Sequence, residues 1–302
     1  MSLSLLSFLP AVDRGLKSMR TECDLRTCHN TQLMRRIPGG KQGINVGQQW
    51  YCCADCFAEA ARETLADLSF GRPFEIPRDP RLSLGLALHL KGFLTKEQLR
   101  IASFESQRSD TDFAVTALRL GLVTEQHIAV ARATQWGCPV LSQDYVGHKV
   151  QIDIPRAVLE ASHAAPLHYS PAARRIVLGF VYRVEHSVLA SIEQMTGCRV
   201  EPCFMTPTDF ARQIESAVPL PNYEEIVVVD PGPPEKMARA VGRAAVDVAA
   251  REARFTRYKG LVWARVTGKR GIVDVVFRGK RPLAELRPEN SELFEEVVAV
   301  AG

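Results

Sequence analysis

Several features that mark other protein classes are missing from this sequence of 302 residues. No stretch reaches the roughly 18 consecutive apolar residues that a membrane-spanning helix needs. The net charge is only +4, from 38 basic and 34 acidic side chains, which is too balanced to indicate a nucleic-acid-binding protein by charge alone. The apolar stretch Met1–Val12 has neither the basic start nor the small-residue cleavage site of a signal peptide. These absences favour a cytoplasmic protein without a membrane span.

Motifs for nucleotide hydrolysis and nucleophilic catalysis are also missing. A phosphate-binding loop needs the pattern GxxxxGK[ST], in which backbone amides and a lysine hold the phosphates. Gly39-Gly40-Lys41 and Thr267-Gly268-Lys269 have neither that spacing nor the following Ser or Thr. No Ser-His-Asp or Cys-His arrangement stands out. We therefore predict that the chain is not an enzyme.

Cysteine, by contrast, is concentrated near the N-terminus, where five of the eight cysteines lie between residues 23 and 56. Four of them form the pairs Cys23-x4-Cys28 and Cys53-x2-Cys56. Paired cysteines on tight turns are typical ligands of tetrahedral zinc, and a module of about 40 residues rarely builds a sufficient core without such a link. The spacing predicts a zinc ribbon with structural zinc bound by Cys23, Cys28, Cys53 and Cys56. Four thiolates leave no position for water, which excludes catalytic zinc.

Two neighbouring residues compete for places in this ligand set. Cys52 directly precedes Cys53, and His29 directly follows Cys28, so that either could replace a thiolate of the predicted set. The sequence leaves this choice open. The remaining cysteines, Cys138, Cys198 and Cys203, lie in apolar surroundings and are predicted to be small buried side chains.

Glycine- and proline-rich stretches divide the chain into segments. We predict a multi-domain α+β protein with an N-terminal zinc ribbon, a helical repeat lobe, a small αββαβα lobe and a C-terminal helix–hairpin unit. The predicted segments are an N-terminal helix or frayed segment (1–20), the zinc-ribbon-like module (21–68), a linker (69–81), a central domain (82–218) and a C-terminal α/β extension (219–302).

The helical lobe, residues 82–140, consists of an imperfect repeat with a period of 29 residues. In each copy a glycine follows a small residue by seven positions, and a threonine suited to capping the next helix follows three positions later. These positions are Gly85, Gly92 and Thr95 in the first copy and Ala114, Gly121 and Thr124 in the second. The repeat predicts two helix–turn–helix units that bury one another.

The sequence of the α/β lobe, residues 141–218, predicts helices and strands in the order αββαβα. The C-terminal extension predicts a strand at Glu224–Asp230, a helix at Glu235–Arg254, a hairpin of Lys259–Thr267 and Gly271–Phe277, and a closing helix at Glu292–Val300.

The hairpin region of the C-terminal extension carries a basic rim. Its members are Arg254, Arg257, Lys259, Arg265, Lys269, Arg270, Arg278, Lys280 and Arg281. Acidic residues between them balance much of this charge, so we interpret the rim as a solvated face and not as a nucleic-acid surface.

Taken in order, the motifs of the central domain carry a family resemblance. They are LGxxLxxxGFLTxEQL, GLVTEQHIAVARATQWGCPVL, IPRAVLEASHAAPLHYSPAARRIVLGF and IEQMTGCRVEPCFMTPTDFARQIESA. This order resembles the N-terminal domain of type II secretion and type IV pilus assembly ATPases (the GspE/MshE N-terminal domain). The resemblance covers residues 82–218, near half of the chain, and does not include the ATPase domain.

In that family some members bind cyclic di-GMP through paired motifs of the form RLGxxLxxxGxLxxxxLxxxLxxQ. The resemblance implies a nucleotide site at Leu84, Gly85, Leu88, Gly92, Gly121 and Gln135.

This sequence departs from the family pattern at the polar positions. The two arginine positions hold Ser83 and Asp112, and the glutamine position of the first copy holds Ser106. An arginine makes strong charge-assisted bonds to phosphate, whereas an aspartate repels it. We therefore predict that the scaffold is kept and that the cyclic di-GMP site is degraded.

The family resemblance implies a non-catalytic interaction or regulatory module whose protein partners include secretion or pilus assembly components. One alternative is a sensor that still binds cyclic di-GMP or another nucleotide. A second alternative is a zinc-ribbon nucleic-acid binder that uses Arg35, Arg36, Lys41 and the basic rim.

Overall fold

The structure, a computed structural model, describes residues 20–28, 31–33, 43–70, 80, 82–142, 145 and 149–280. The chain forms two compact units. The described parts of the first unit fall within residues 20–70, 222–256 and 262–278, and those of the second fall within 80–221, 257–261 and 279–280. Nearly all of the segment predicted for residues 1–20, most of the linker 69–81 and the closing helix Glu292–Val300 lie outside the described residues.

The described residues form helices and strands in a mixed α+β arrangement, as predicted. The helices are α1 (Ala54–Phe70), α2 (Leu84–Leu90), α3 (Lys96–Ser109), α4 (Phe113–Arg119), α5 (Glu125–Trp136), α6 (Arg156–Ser162), α7 (His186–Thr196), α8 (Pro207–Ser216) and α9 (Pro234–Asp247). The strands are β1 (Arg20–Glu22), β2 (Thr31–Leu33), β3 (Ile44–Val46), β4 (Gln49–Tyr51), β5 (Val150–Ile152), β6 (Ala164–Ser170), β7 (Arg175–Phe180), β8 (Arg199–Phe204), β9 (Ala217–Pro219), β10 (Tyr223–Val229), β11 (Ala250–Tyr258), β12 (Leu261–Gly268) and β13 (Ile272–Arg278).

The first unit is built on a six-stranded sheet with the order β10-β13-β12-β11-β3-β4. Strand β3 pairs in parallel with β11, so that Asn45 lies opposite Glu252. The sequence predicts the segments 21–68 and 219–302 as separate modules, whereas the structure joins their strands in one sheet. The physical reason is size, because β3 and β4 are three residues each and cannot bury a core by themselves.

Helices α1 and α9 share one hydrophobic core with this sheet. Phe57 and Leu65 of α1, Val241 of α9, and Ala264 and Val275 of the sheet are all fully buried. Spacings of four and eight residues along both helices place their apolar side chains on one face. The core therefore draws on residues that are more than 200 positions apart in the chain.

The predicted helix Glu235–Arg254 is too long. Helix α9 ends at Asp247, Ala249 takes a left-handed conformation with φ 51°, and strand β11 begins at Ala250. Alanine, arginine and glutamate favour helix, which explains the prediction. Strands β12 and β3 on either side of β11 supply backbone hydrogen-bond partners that outweigh this local preference.

The repeat in the second unit forms two helix–turn–helix copies, α2–α3 and α4–α5. The side chains of Thr95 and Thr124 cap α3 and α5 by accepting from the amide of the third helical residue, Gln98 or His127. In return, the side chain of that third residue accepts from the amide of the threonine. Gly92 and Gly121 follow α2 and α4 with φ of 77° and 65°, the left-handed region that favours glycine. The local chemistry of the two copies is therefore repeated as the sequence predicts.

The rest of the second unit contains a three-stranded sheet with the order β6-β7-β8 and the helices α6, α7 and α8. Strands β6 and β7 are antiparallel, and β7 and β8 are parallel. Gly197 ends α7 in a left-handed conformation, and the Thr206 side chain caps α8. In the described part of the chain, none of the helices combines the length and hydropathy needed to cross a bilayer.

Candidate metal centre and repeat site

Cys23 and Cys28 lie on either end of a short turn that follows β1. The Cys28 amide donates to the Leu25 carbonyl at 2.9 Å and closes the turn. Asp24 attaches this turn to β4, because its amide donates to the Trp50 carbonyl at 2.9 Å and its Oδ2 accepts from the Trp50 amide at 2.5 Å. The first cysteine pair is thereby held beside the end of β4.

Cys52 and Cys56 come from the junction between β4 and α1. Cys52 follows the last residue of β4, and Cys56 lies in the first turn of α1. The Sγ atoms of Cys23, Cys28, Cys52 and Cys56 all lie within 4.8 Å of one another. The Sγ–Sγ separations Cys28–Cys52 and Cys52–Cys56 are both 3.7 Å.

These separations match the geometry of a tetrahedral metal–thiolate site. With a zinc–sulfur bond of about 2.3 Å, the edge of the tetrahedron is roughly 3.8 Å. Cys23 and Cys56 are each 8% exposed, and burial raises the pKa of the Cys56 thiol. A buried thiolate needs a cation to offset its charge, so this donor set fits a bound metal ion.

The predicted ligand Cys53 lies outside this group, and its place is taken by Cys52. Cys53 is exposed, and its carbonyl accepts from the amide of Phe57 in the first turn of α1. Hydrogen bonding from the Cys56 backbone lowers the pKa of the Cys53 thiol. Cys53 therefore lies at the N-terminus of the helix, and Cys52 is the neighbour whose sulfur lies within 4.8 Å of the other three. His29 lies outside the described residues.

In the repeat, the two positions where the resemblance expects arginine hold helix caps. The Ser83 hydroxyl accepts from the Leu86 amide at 3.3 Å at the start of α2. The Asp112 carboxylate accepts from the amides of Ala114 at 2.7 Å and Val115 at 3.4 Å at the start of α4. Both side chains satisfy backbone donors that a helix leaves unpaired.

The retained motif residues have structural contacts of their own. A Cβ atom on Gly85 would lie 2.6 Å from Leu99 Cδ1, so the glycine permits the close approach of α2 and α3. Leu88 is fully buried in the repeat core, and Leu84 packs against that core. Gln135 Nε2 donates to the Leu82 carbonyl at 2.6 Å and joins the end of α5 to the start of α2.

Two other arginines lie close in sequence to the positions that lack one. Arg81 falls outside the described residues. Arg108 is exposed at the end of α3 and pairs with Glu105 at 2.7 Å. Arg108 therefore has a partner on its own helix. This contact gives no reason to place it in the nucleotide motif.

Sequence reasoning missed Arg132, which is buried in α5. Its Nη1 donates to the Val181 carbonyl at 2.7 Å, and its guanidinium lies 5.4 Å from the centre of the Tyr182 ring. Burial lowers the pKa of the Arg132 guanidinium. The sequence feature that could have identified this residue is an arginine among the apolar positions of the second copy. The equivalent position of the first copy holds Ser103.

The basic rim is not a continuous cationic surface. Arg265 is 3% exposed and forms a bidentate ion pair with the fully buried Asp274, at 2.9 Å and 2.7 Å. Arg254 bonds to Glu252 at 2.8 Å, and Arg281 lies outside the described residues. The interpretation of the whole rim as a solvated face is therefore wrong for Arg265, because Asp274 balances its charge inside the sheet.

Comparison with known proteins finds a curated relative of part of the chain, although no family model matches the sequence. A curated relative is the type IV pilus assembly ATPase PilB of Thermus thermophilus. It is 26% identical over 153 residues, which are 50% of this chain and 17% of that protein. The chain contains a region similar to the N-terminal domain of secretion and pilus ATPases.

Two of the solved structures that match do so at low identity. MshE with cdg is 17% identical with a TM-score of 0.37, and the match covers 45% of this chain and 98% of that one. The N-terminal domain of XpsE is 18% identical with a TM-score of 0.35, and the match covers 47% of this chain and 98% of that one. The region similar to PilB is about half of the present chain, and the match spans less than a fifth of the length of PilB.

Proposed function

We propose that this chain is a non-catalytic interaction or regulatory module that carries a structural zinc ion and a degraded nucleotide site. The observation that carries the proposal is the capping role of Ser83 and Asp112. Two side chains at the positions expected to bind a nucleotide instead stabilise the helices of the repeat. The proposed module is cytoplasmic and binds protein partners.

The energetics favour loss of cyclic di-GMP binding. Each hydrogen bond to a charged group contributes about 1.5–3 kcal/mol, so two missing arginines correspond to a loss of roughly a hundredfold or more in affinity. The carboxylate of Asp112 adds repulsion toward a phosphate. Gly85, Leu88 and Gln135 remain because they hold the repeat together, and their retention does not require a ligand.

Calorimetry with cyclic di-GMP tests the degraded site. We expect no binding at micromolar concentrations for the full chain. Micromolar binding that is lost in Gln135→Ala, with Thr134→Ala as an exposed neighbouring control, would overturn this part of the proposal and support the nucleotide sensor. Salt-dependent binding of DNA or RNA would instead support the nucleic-acid binder.

The zinc ion is proposed from the four sulfurs of Cys23, Cys28, Cys52 and Cys56. A closed shell of four thiolates suits a structural role, because no position remains for a reacting water. We expect about one equivalent of zinc in the purified protein. Cys52→Ser should lose most of it, whereas Cys53→Ser, the matched control one residue away, should retain it. Full retention in Cys52→Ser would contradict this ligand set.

Protein partners follow from the relation to pilus and secretion ATPases. PilB is, by its name, a pilus assembly ATPase, and we propose that components of a pilus or secretion system are the partners of this chain. Co-purification from cells of the native source tests the proposal. Recovery of such components would support it, and recovery of nucleic acid alone would contradict it.

A further inference from the structure

Helix α3 presents an outer face with large apolar side chains. Ile101 is 44% exposed and Phe104 is 63% exposed, although the opposite face of the same helix buries Ala102. Glu97 and Arg108 continue the outer face at either end. The positions 97, 101, 104 and 108 are separated by four, three and four residues, which places them on one stripe of the helix.

This outer stripe is self-complementary when its direction is reversed. In chain order it consists of an acid, two apolar residues and a base. We infer that α3 binds α3 of a second copy of this chain in antiparallel orientation, around a twofold axis between residues 102 and 103. Glu97 then lies opposite Arg108 of the second copy at both ends, and Ile101 lies opposite Phe104 of the second copy at the centre.

The charges select this orientation over a parallel one. In a parallel pair, Glu97 would face Glu97 and Arg108 would face Arg108, which is repulsive at both ends. Within one copy, Glu97 pairs with Arg100 and Arg108 pairs with Glu105, each at 2.7 Å. The Glu97 side chain is 63% exposed, so its carboxylate remains accessible to a second cationic neighbour.

The neighbouring surface leaves space for the second helix. A shallow hollow of about 690 Å³ runs beside Phe104 and is lined by Leu99, Ser103 and Gln107. A single helix pair buries less than the roughly 1,200 Å² of a standard interface, so the association is weak and depends on concentration. This inference does not depend on the proposed function, because neither the metal centre nor the nucleotide motif contributes to it.

Sedimentation velocity of the full chain over a concentration series tests the association. We expect a reversible monomer–dimer equilibrium that Phe104→Ala weakens at least about tenfold. Val246→Ala is the matched control, because Val246 is 61% exposed on α9 and lies outside the stripe. A chain that stays monomeric at every concentration, or dimers that Phe104→Ala leaves unchanged, would overturn the inference.

Charge exchange tests the antiparallel orientation. Glu97→Arg alone creates two Arg–Arg contacts per dimer, and Arg108→Glu alone creates two Glu–Glu contacts, so each variant should self-associate about tenfold more weakly. A mixture of the two variants restores opposite charges at both ends of its mixed dimers in either orientation, so it does not distinguish the orientations. The antiparallel test therefore uses the double variant Glu97→Arg/Arg108→Glu, which restores opposite charges at both ends of an antiparallel pair but leaves like charges facing each other in a parallel pair. We expect this double variant to associate as well as the parent protein. A double variant that associates no better than the single variants would rule out this pairing. Circular dichroism checks that all three variants keep their helix content.

Discussion

Arg265 and Asp274 form a bidentate ion pair inside the six-stranded sheet, with side chains that are 3% and 0% exposed. Removing one member leaves the other as an uncompensated buried charge. We expect Asp274→Ala to lower the stability of the first unit by about 3–5 kcal/mol. Hydrogen exchange of the β12 and β13 amides measures this loss. The double variant Arg265→Met/Asp274→Leu should recover most of it, and equal damage in the single and double variants would contradict the expectation.

The cap at Asp112 gives a second prediction. Asp112→Ala removes the acceptor for two backbone amides of α4 and should cost about 1 kcal/mol of stability. Asp112→Asn keeps a capping oxygen and should cost less. Thermal unfolding of both variants gives the comparison. If Asp112→Ala is as stable as the parent protein, the carboxylate does not serve as a cap, and its position no longer supports a degraded nucleotide site.

Packing around Gly85 gives a third prediction. In Gly85→Ala the new methyl group would lie 2.6 Å from Leu99 Cδ1 and 3.0 Å from Phe113 Cζ, so the side chains must move. We expect a loss of about 1–3 kcal/mol from overpacking. Leu99→Val shortens the obstructing side chain, so the double variant should lose less than the sum of the single variants. Additive losses in urea unfolding would show that this contact is not the cause.

Removal of the metal should act on the first unit. If the proposed ion is bound, chelation leaves four neighbouring thiols without the link between the turn of Cys23 and the start of α1. We expect faster hydrogen exchange in β3, β4 and the first turns of α1, and no change in α2–α5. The same pattern should appear in Cys52→Ser without chelator. Unchanged exchange in a protein confirmed to be metal-free would mean that the packing of α1 and α9 holds these strands without the ion.

The buried thiol of Cys203 predicts a loss of stability at alkaline pH. Burial raises the pKa of Cys203 to about 12, above the roughly 8.5 of an unfolded cysteine. The neutral thiol therefore favours the folded state below the unfolded pKa, and this contribution declines as the pH rises toward 12. Urea unfolding between about pH 8 and 11 should show a decline that is shallower in Cys203→Ala. Parallel curves for the parent and the variant would contradict the assignment.

Local patterns gave reliable predictions where the interactions are themselves local. Thr95 and Thr124 cap α3 and α5 as predicted. Strand β11 was missed because its alanine, arginine and glutamate residues favour helix, and only the neighbouring strands identify it as part of a sheet. Arg132 was missed because its partner, the Val181 carbonyl, lies 49 residues away along the chain.

The sequence by itself determined the repeated helical units, their caps and glycine turns, and the concentration of cysteines near the N-terminus. These features depend on residues within a few positions of one another. Only the tertiary structure decided that Cys52 and not Cys53 belongs to the group of four sulfurs within 4.8 Å of one another, because the direction of adjacent side chains depends on where β4 ends and α1 begins. It also decided that residues 44–51 complete a sheet with residues 223–278, since a three-residue strand has no preference for a partner until a larger sheet offers one.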